Sequence, residues 1–346
     1  MRNWIIVILV AMVFASCSTD VDLYADYQDI PVVFGILDVQ ADTNYIKITR
    51  AFCGTTDNPV NALEAAQVYD SSNYPVKLDA YFVELKSVHD QPFEPTGRQF
   101  YLDTLTIHDK KEGLFYAPDQ LMYYTTARFN TNTDDEKYRY KLCVIKPDFD
   151  TVTAETSIVG GDVHVFATQV TFSPPPYLSE SRMMFCSTEE AVLYEIGMRF
   201  YYWESHPGEP MVKKQVSWSY RPRSLAEYEK VEGSDKYYWF YFTNTTLFNY
   251  LERAIGDDIV YDANHPNVTR YIDDFEVFIA ATGRDFYAYY QYLQTTQNGL
   301  NLSTEYNNIE GGCGLLSSRI LVTNVVPLSP STRLDLFNQP WGFRER

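Results

Sequence analysis

The chain has 346 residues, of which 46 are acidic and 28 are basic, so its formal net charge at pH 7 is −18. Such a charge repels nucleic acid and anionic lipid headgroups, and the sequence therefore excludes nucleic acid as a partner. The length allows one large β-rich domain or two domains, and the 29 tyrosines favour β-structure because tyrosine suits half-buried strand positions.

Residues 1–16 have the pattern of a secretory leader. Arg2 precedes an apolar run from Trp4 to Phe14, which is too short for a lasting membrane span, since a spanning helix needs about 20 residues. Two small residues then lead directly to Cys17. This order resembles the lipobox of bacterial lipoproteins, although Phe14 stands where leucine is usual. We expect cleavage before Cys17 and acylation of its thiol; the alternative is an ordinary secretory leader with an uninvolved cysteine.

The segment after the leader predicts a tether followed by a sandwich. Residues 17–30 are acidic and contain no strong structural signal. Residues 31–172 are predicted to form an N-terminal β-sandwich-like domain, which begins with a buried strand at 31–37 and an alternating strand at 45–50. A short helix is predicted at 61–67. Further strand-like runs follow at residues 76–85, 99–107, 138–145, 151–158 and 164–172.

A proline-rich break predicts the boundary between two domains. Residues 173–182 contain three consecutive prolines and are interpreted as a linker. Residues 183–328 are predicted to form a second β-rich domain with two short helices, and 329–346 a C-terminal tail. The expected fold class is mainly β, with two immunoglobulin- or fibronectin-like sandwich modules, the second partly α+β.

Two aromatic runs, at residues 200–203 and 237–242, are the best indication of a binding surface. Aromatic rings offer a flat apolar face with a polar edge, which sugars and peptides both use. The alternative is that one face of each strand lies in the core and the other packs on a neighbour. The residues predicted to form this surface are Tyr201, Trp203, Tyr237, Trp239 and Tyr241.

Signatures of catalysis and of metal binding are missing from the sequence. It has no H-x-x-x-H pair, no G-x-S-x-G element and no C-x-x-C pair, so we predict no catalytic residue, metal or cofactor. Acidic clusters at 134–136, 257–258 and 273–274 are interpreted as solvated surface. The glycines at 311–314 are interpreted as a turn, since no helix or lysine follows to hold a phosphate.

Covalent modification is predicted at two further positions. Thr104 and Thr151 stand in the Asp-Thr-aliphatic pattern of O-glycosylation in exported Bacteroidetes proteins. Besides Cys17, four cysteines allow three disulfide pairings, although isolated buried thiols are expected more often than bridges. These cysteines are Cys53, Cys143, Cys186 and Cys313.

Several segments together resemble a group of uncharacterised Bacteroidetes envelope lipoproteins that carry a domain of unknown function. These segments are 31–38, 45–52, 278–293 and Asn308-Ile309-Glu310-Gly311-Gly312-Cys313-Gly314. The resemblance extends from about Pro31 to Val326 and implies that Cys313 replaces an aliphatic core residue. It supplies no catalytic residue. Because members resemble proteins encoded beside outer-membrane transporters, it implies a role in capture or uptake.

The sequence thus predicts a non-enzymatic lipoprotein of the outer membrane, on its surface or its periplasmic face. It is expected to bind a ligand or an outer-membrane transporter. Asp20 and Asp22 match part of the surface-export signal of Bacteroidetes lipoproteins. One alternative is a structural or adhesin-like subunit of a surface assembly. Another is a hydrolase that uses a pair of carboxylates.

Overall fold

The computed structural model describes residues 30–51, 73–262 apart from 109, 114, 115, 118 and 149, then 266–297 and 306–345. Cys17, Cys53 and the helix predicted at 61–67 lie outside the described residues. The described chain consists mainly of β-strands with three α-helices, which confirms the predicted fold class.

Nine strands precede the proline-rich segment: β1 (Pro31–Asp38), β2 (Asn44–Arg50), β3 (Asp79–Val88), β4 (Glu94–Tyr101), β5 (Asp103–Ile107), β6 (Gln120–Thr125), β7 (Glu136–Ile145), β8 (Thr151–Ser157) and β9 (His164–Phe166). The elements after it are β10 (Glu180–Cys186), β11 (Ala191–Ser205), β12 (Val212–Ser219), β13 (Arg223–Ser224), β14 (Glu229–Lys230), β15 (Tyr237–Thr243), α1 (Thr246–Ile255), β16 (Thr269–Gly283), α2 (Arg284–Gln297), β17 (Ile309–Glu310), β18 (Cys313–Val325), α3 (Pro330–Asn338) and β19 (Phe343–Arg344).

The strands form one long sheet and two smaller sheets. The long sheet has ten strands in the order β12-β11-β16-β18-β1-β2-β6-β5, with β13 paired to β11 and β19 paired to β16. The four-stranded sheet has the order β14-β15-β10-β9, and the five-stranded sheet the order β17-β8-β7-β3-β4.

Two hydrophobic cores lie against the long sheet. One joins residues of β11 and β16 to residues of the four-stranded sheet, for example Phe200 and Val277 to Phe185 and Phe240. The other joins β1 and β2 to the five-stranded sheet and includes Val33. Each smaller sheet therefore makes a sandwich with its own half of the long sheet, because alternate residues of a strand face opposite sides.

The long sheet runs across the boundary predicted at residues 173–182. β1 lies parallel to β18, with Val32 opposite Cys313, so strands from both predicted domains hydrogen-bond in one sheet. β9, before the prolines, also pairs with β10, after them. The two sandwiches are thus modules that share a sheet, and the prolines lie in the loop before Glu180.

The stretch predicted to be a tail contains regular structure. Ser329 caps α3 by accepting a hydrogen bond from the backbone of Thr332, and Pro330 occupies the first turn. β19 pairs in parallel with β16. Serine followed by proline is a typical start of a helix, because serine caps the first turn and proline has the backbone angle that this turn requires.

The glycines at 311–314 form the predicted turn and the start of β18. At Gly314 φ is +124°, and an added Cβ would lie 2.0 Å from the carbonyl oxygen of Val33. Glycine is required there because β1 and β18 approach closely. Among the described residues, no helix is both long and apolar enough to cross a membrane.

Candidate functional site

A polar cleft lies where the two sandwich modules meet. It has a volume of about 530 Å³, within the range of small-molecule sites. Strands β7 and β8 of the five-stranded sheet form one side. The loop before β11 and the start of α2 form the other. A second depression of about 680 Å³ lies beyond that loop, and both are lined by Glu189 and Glu190.

Glu190 is a partly buried carboxylate on the loop side of this cleft. Its Oε1 accepts a hydrogen bond of 2.6 Å from the Asn132 side chain. Burial raises the pKa of Glu190, and the neighbouring charge of Glu189 raises it further, while Lys137 and Arg139 oppose both effects. A carboxyl group with a raised pKa in a cleft is a candidate for function.

Asp285 occupies the first turn of α2, on the opposite wall. Its carboxylate accepts a hydrogen bond of 2.7 Å from the Tyr306 hydroxyl and a longer one, of 3.4 Å, from Thr156. Burial and this contact raise the pKa of Tyr306. The tyrosine therefore remains a proton donor that fixes the carboxylate of Asp285.

The basic side chains of the cleft differ in whether they form an ion pair. Lys137 forms an ion pair with Glu189. The guanidinium of Arg139 lies over the Phe93 ring, 4.2 Å from its centroid. Across the part of the chain that the structure describes, neither Arg139 nor Arg284 forms an ion pair with a carboxylate. The cleft therefore offers two guanidinium groups that are able to accept an anionic partner.

The first predicted aromatic pair lies on the outer face of the long sheet. The ammonium of Lys213 lies 4.7 Å from the ring centre of Tyr201 and 5.8 Å from that of Trp203. The Tyr201 hydroxyl donates to Glu276 at 3.2 Å. Both rings are partly exposed, and β12 supplies the lysine.

The other three predicted aromatic residues lie on the outer face of the four-stranded sheet. Arg182 lies over the Trp239 ring at 4.1 Å, and the hydroxyl of Tyr241 donates to Glu229 at 2.6 Å. Tyr237 contacts Phe166 edge-to-face. The structure does not bring this set together with Tyr201 and Trp203, because the core of the second module lies between the two faces.

Residues of the acidic clusters predicted from the sequence form ion pairs with basic side chains. Glu136 pairs with Lys86 at 2.6 Å. Asp273 pairs with Lys213 at 2.8 Å. The cluster at 257–258 contributes Asp258 to the ion network described next.

Glu204, His206 and Asp258 bring three potential metal ligands close together. The guanidinium of Arg270, only 1% exposed, lies among them, 2.8 Å from Glu204 and 2.5 Å from Asp258. It also donates to the backbone oxygens of Asp258 and Trp341. Because a cation already occupies the position between the carboxylates, this donor set fits an ion network better than a metal site.

The described cysteines are free. Cys143 and Cys186 are buried, and burial raises the pKa of both thiols, whereas Cys313 is exposed. His164 lies opposite Cys186 in the pair of β9 and β10. A thiol kept protonated by burial is a poor nucleophile, so this pair does not have the character of a catalytic dyad.

The threonines predicted to carry glycans lie on strands. Thr104 is half-buried on β5, a strand at one edge of the long sheet, and Thr151 is exposed at the start of β8. Their modification stays a prediction.

The sequence does not predict the residues of the cleft, because they come from five separate segments. The only local signals are the Glu189-Glu190 pair and the Arg284-Asp285 pair next to long strands. Comparisons with known proteins give no further guidance, since no family model and no curated protein matches the chain.

Proposed function

We propose that the protein is a lipoprotein of the outer membrane, anchored by acyl chains on Cys17, and that it binds a ligand or an outer-membrane transporter without catalysing a reaction. The observation that carries this proposal is the apolar leader that ends in Ala15-Ser16-Cys17. Acylation suits such a chain because each buried methylene contributes about 0.8 kcal/mol and several chains together anchor stably.

Features of the folded body support a binding role. The two modules enclose a polar cleft of about 530 Å³, and partly exposed aromatic rings lie on two outer sheet faces. The protein would present these surfaces at a membrane, where a transporter takes up the captured ligand. Resemblance to envelope lipoproteins encoded beside such transporters agrees with this role.

Metabolic labelling with a fatty acid tests the anchor. We expect the wild-type chain to take up label and to fractionate with membranes, and Cys17→Ser to lose both properties. Cys313→Ser is the matched control, because it removes an exposed cysteine from the folded body and leaves the leader intact. Equal labelling of Cys17→Ser and wild type would exclude the proposed anchor.

Affinity purification from membranes tests the partner. The native protein, cross-linked at its natural abundance, is expected to recover an outer-membrane transporter. Recovery of homopolymers would favour a surface assembly, and recovery of the protein alone would contradict the transporter partner.

A carboxylate-dependent hydrolase is the second candidate, because one cleft contains several carboxylates and the pKa of Glu190 is raised. A general acid needs such a shift. Glycosidase assays on wild type and Glu190→Gln decide this: activity that the variant loses would support a hydrolase, and inactivity of the wild type would exclude the tested chemistry.

A further inference from the structure

The cleft between the modules contains charges of both signs. Its lining includes three basic side chains, Lys137, Arg139 and Arg284, and five acidic ones, Asp90, Glu155, Glu189, Glu190 and Asp285. Two oppositely charged pairs account for some of them, since Glu189 pairs with Lys137 and Glu155 pairs with Lys141 at 3.5 Å.

The charges that remain are also of both signs. Within the described residues, Arg139 and Arg284 contact no carboxylate. Among the same described residues, Glu190 and Asp285 form no ion pair and accept hydrogen bonds from neutral donors, Asn132 and Tyr306, while the charges of Lys137 and Arg139 act on Glu190 from a longer distance. The ring of Phe93 supports the Arg139 guanidinium at 4.2 Å and reduces the number of orientations it can adopt.

These unpaired groups restrict the ligand that fits. A ligand with only negative charge would face the larger number of carboxylates. One with only positive charge would leave both guanidiniums without a partner, and a neutral ligand would desolvate charges of both signs without pairing them. A molecule that carries one carboxylate and one ammonium group meets both requirements.

We propose that this cleft binds a small zwitterionic ligand of the amino-acid or short-peptide class. Its carboxylate pairs with Arg139 and Arg284, and its ammonium group lies near Glu190 and Asp285. The volume of about 530 Å³ accommodates a ligand of this size. This inference specifies the ligand class of the proposed binding role and rests on that role.

Calorimetric titration of the full chain in detergent tests the inference, with alanyl-alanine and its capped forms as probes. The free dipeptide has both charges, the N-acetyl form only the carboxylate, the amide only the ammonium, and the doubly capped form neither. We expect saturable binding of the free dipeptide. Each singly capped form should bind about tenfold more weakly, the usual effect of losing one charged hydrogen-bonded contact.

Variants assign the binding to the cleft. Arg139→Gln and Arg284→Gln should each weaken dipeptide binding about tenfold. Both side chains are exposed, so circular dichroism and melting curves should match those of wild type. Arg253→Gln, which changes an exposed arginine of α1 outside the cleft, should leave the affinity unchanged.

Three results would overturn the inference. They are the lack of saturable dipeptide binding, equal affinity for the free and doubly capped forms, and equal weakening by Arg253→Gln and the cleft variants. None of them affects fatty-acid labelling of Cys17. Conversely, a chain without lipid would still bind the dipeptide, so failure of the anchor and failure of the ligand site are distinguishable.

Discussion

Glu84, inside the N-terminal module, and Glu190, in the cleft, show two ways of holding a carboxylate. Glu84 is 1% exposed and accepts hydrogen bonds from four side chains. The donors are Thr96 at 3.0 Å, Arg98 at 2.9 Å, Asn130 at 3.0 Å and Tyr140 at 2.7 Å. Burial and the contact with Glu84 also raise the pKa of Tyr140, which keeps its hydroxyl proton in place.

Glu190 has a hydrogen bond from Asn132 and no ion pair within the described chain. Its charged form is therefore less well compensated than that of Glu84, and burial raises its pKa. The difference indicates that the interior carboxylate holds the fold together, while the one in the cleft is available to a ligand. Substitutions at both kinds of position test this difference.

Replacing Arg270 should lower the free energy of unfolding most, because this buried guanidinium forms ion pairs and hydrogen bonds with several groups. Arg270→Ala leaves Glu204 and Asp258 without their shared cation and frees the carbonyl of Trp341. We expect the free energy of unfolding to fall by about 4 kcal/mol. Guanidinium denaturation measures this loss. Arg253→Ala, at an exposed position, is the control and should change stability by less than about 0.5 kcal/mol.

Glu84→Ala should follow, with a loss of about 3 kcal/mol, because it leaves the buried Tyr140 hydroxyl without its acceptor and removes the partner of the Arg98 guanidinium. The same denaturation experiment applies. Glu229→Ala removes a carboxylate that accepts one tyrosine hydroxyl at an exposed site and should have little effect. Similar stability of both variants would show that the Glu84 network does not hold the first module together.

Glu190→Gln should slightly increase the free energy of unfolding at neutral pH, whereas the two preceding substitutions decrease it. Because its pKa is raised, the folded state holds the proton of Glu190 more tightly than the unfolded chain does. This favours folding at low pH and is lost as the pH rises through the raised pKa. The variant should therefore be slightly more stable than wild type at pH 7, by less than about 1 kcal/mol, and lose that advantage near pH 4.

Glu204 provides the contrasting pH dependence. Burial acts to raise its pKa, but the hydrogen bond and charge of Arg270 outweigh burial and lower it. Its contribution to stability is thus present at neutral pH and lost as the pH falls through the lowered pKa. Melting temperatures measured from pH 4 to pH 8 compare the two variants with wild type. Near neutral pH, Glu204→Gln should melt below wild type and Glu190→Gln above it.

Arg284→Gln should have the smallest effect on stability, less than about 0.5 kcal/mol, because its guanidinium is exposed and pairs with no described carboxylate. Thermal unfolding without ligand measures this. A large loss would place Arg284 among the groups that maintain the fold and remove the distinction between interior and cleft.

Local periodicity predicted much of the secondary structure. The alternation from Val192 to Phe200 is typical of a strand and gives the core face of β11, and the apolar stripe that contains Leu247 and Leu251 is typical of a helix and gives the buried face of α1. These elements are recognisable because one face of each is apolar. The apolar residues recur within a few turns of a helix, or at every second residue of a strand, so the pattern is local.

Non-local pairing and the cleft could not be predicted in the same way. The three prolines mark a loop, but no local signal shows that β1 pairs with β18, 281 residues later in the chain. Long-range packing also brings Arg139 and Arg284 to the lining of one cleft. The sequence also does not predict β6 and β10, because apolar and polar residues alternate less regularly in these two strands.

Mass spectrometry of the mature N-terminus tests whether the protein is cleaved before Cys17 and acylated on that residue. We expect the protein isolated from membranes to begin at Cys17 and its first peptide to carry the mass of attached acyl chains. A mature protein that retains residues 1–16, or one that begins at an unmodified Cys17, would contradict it.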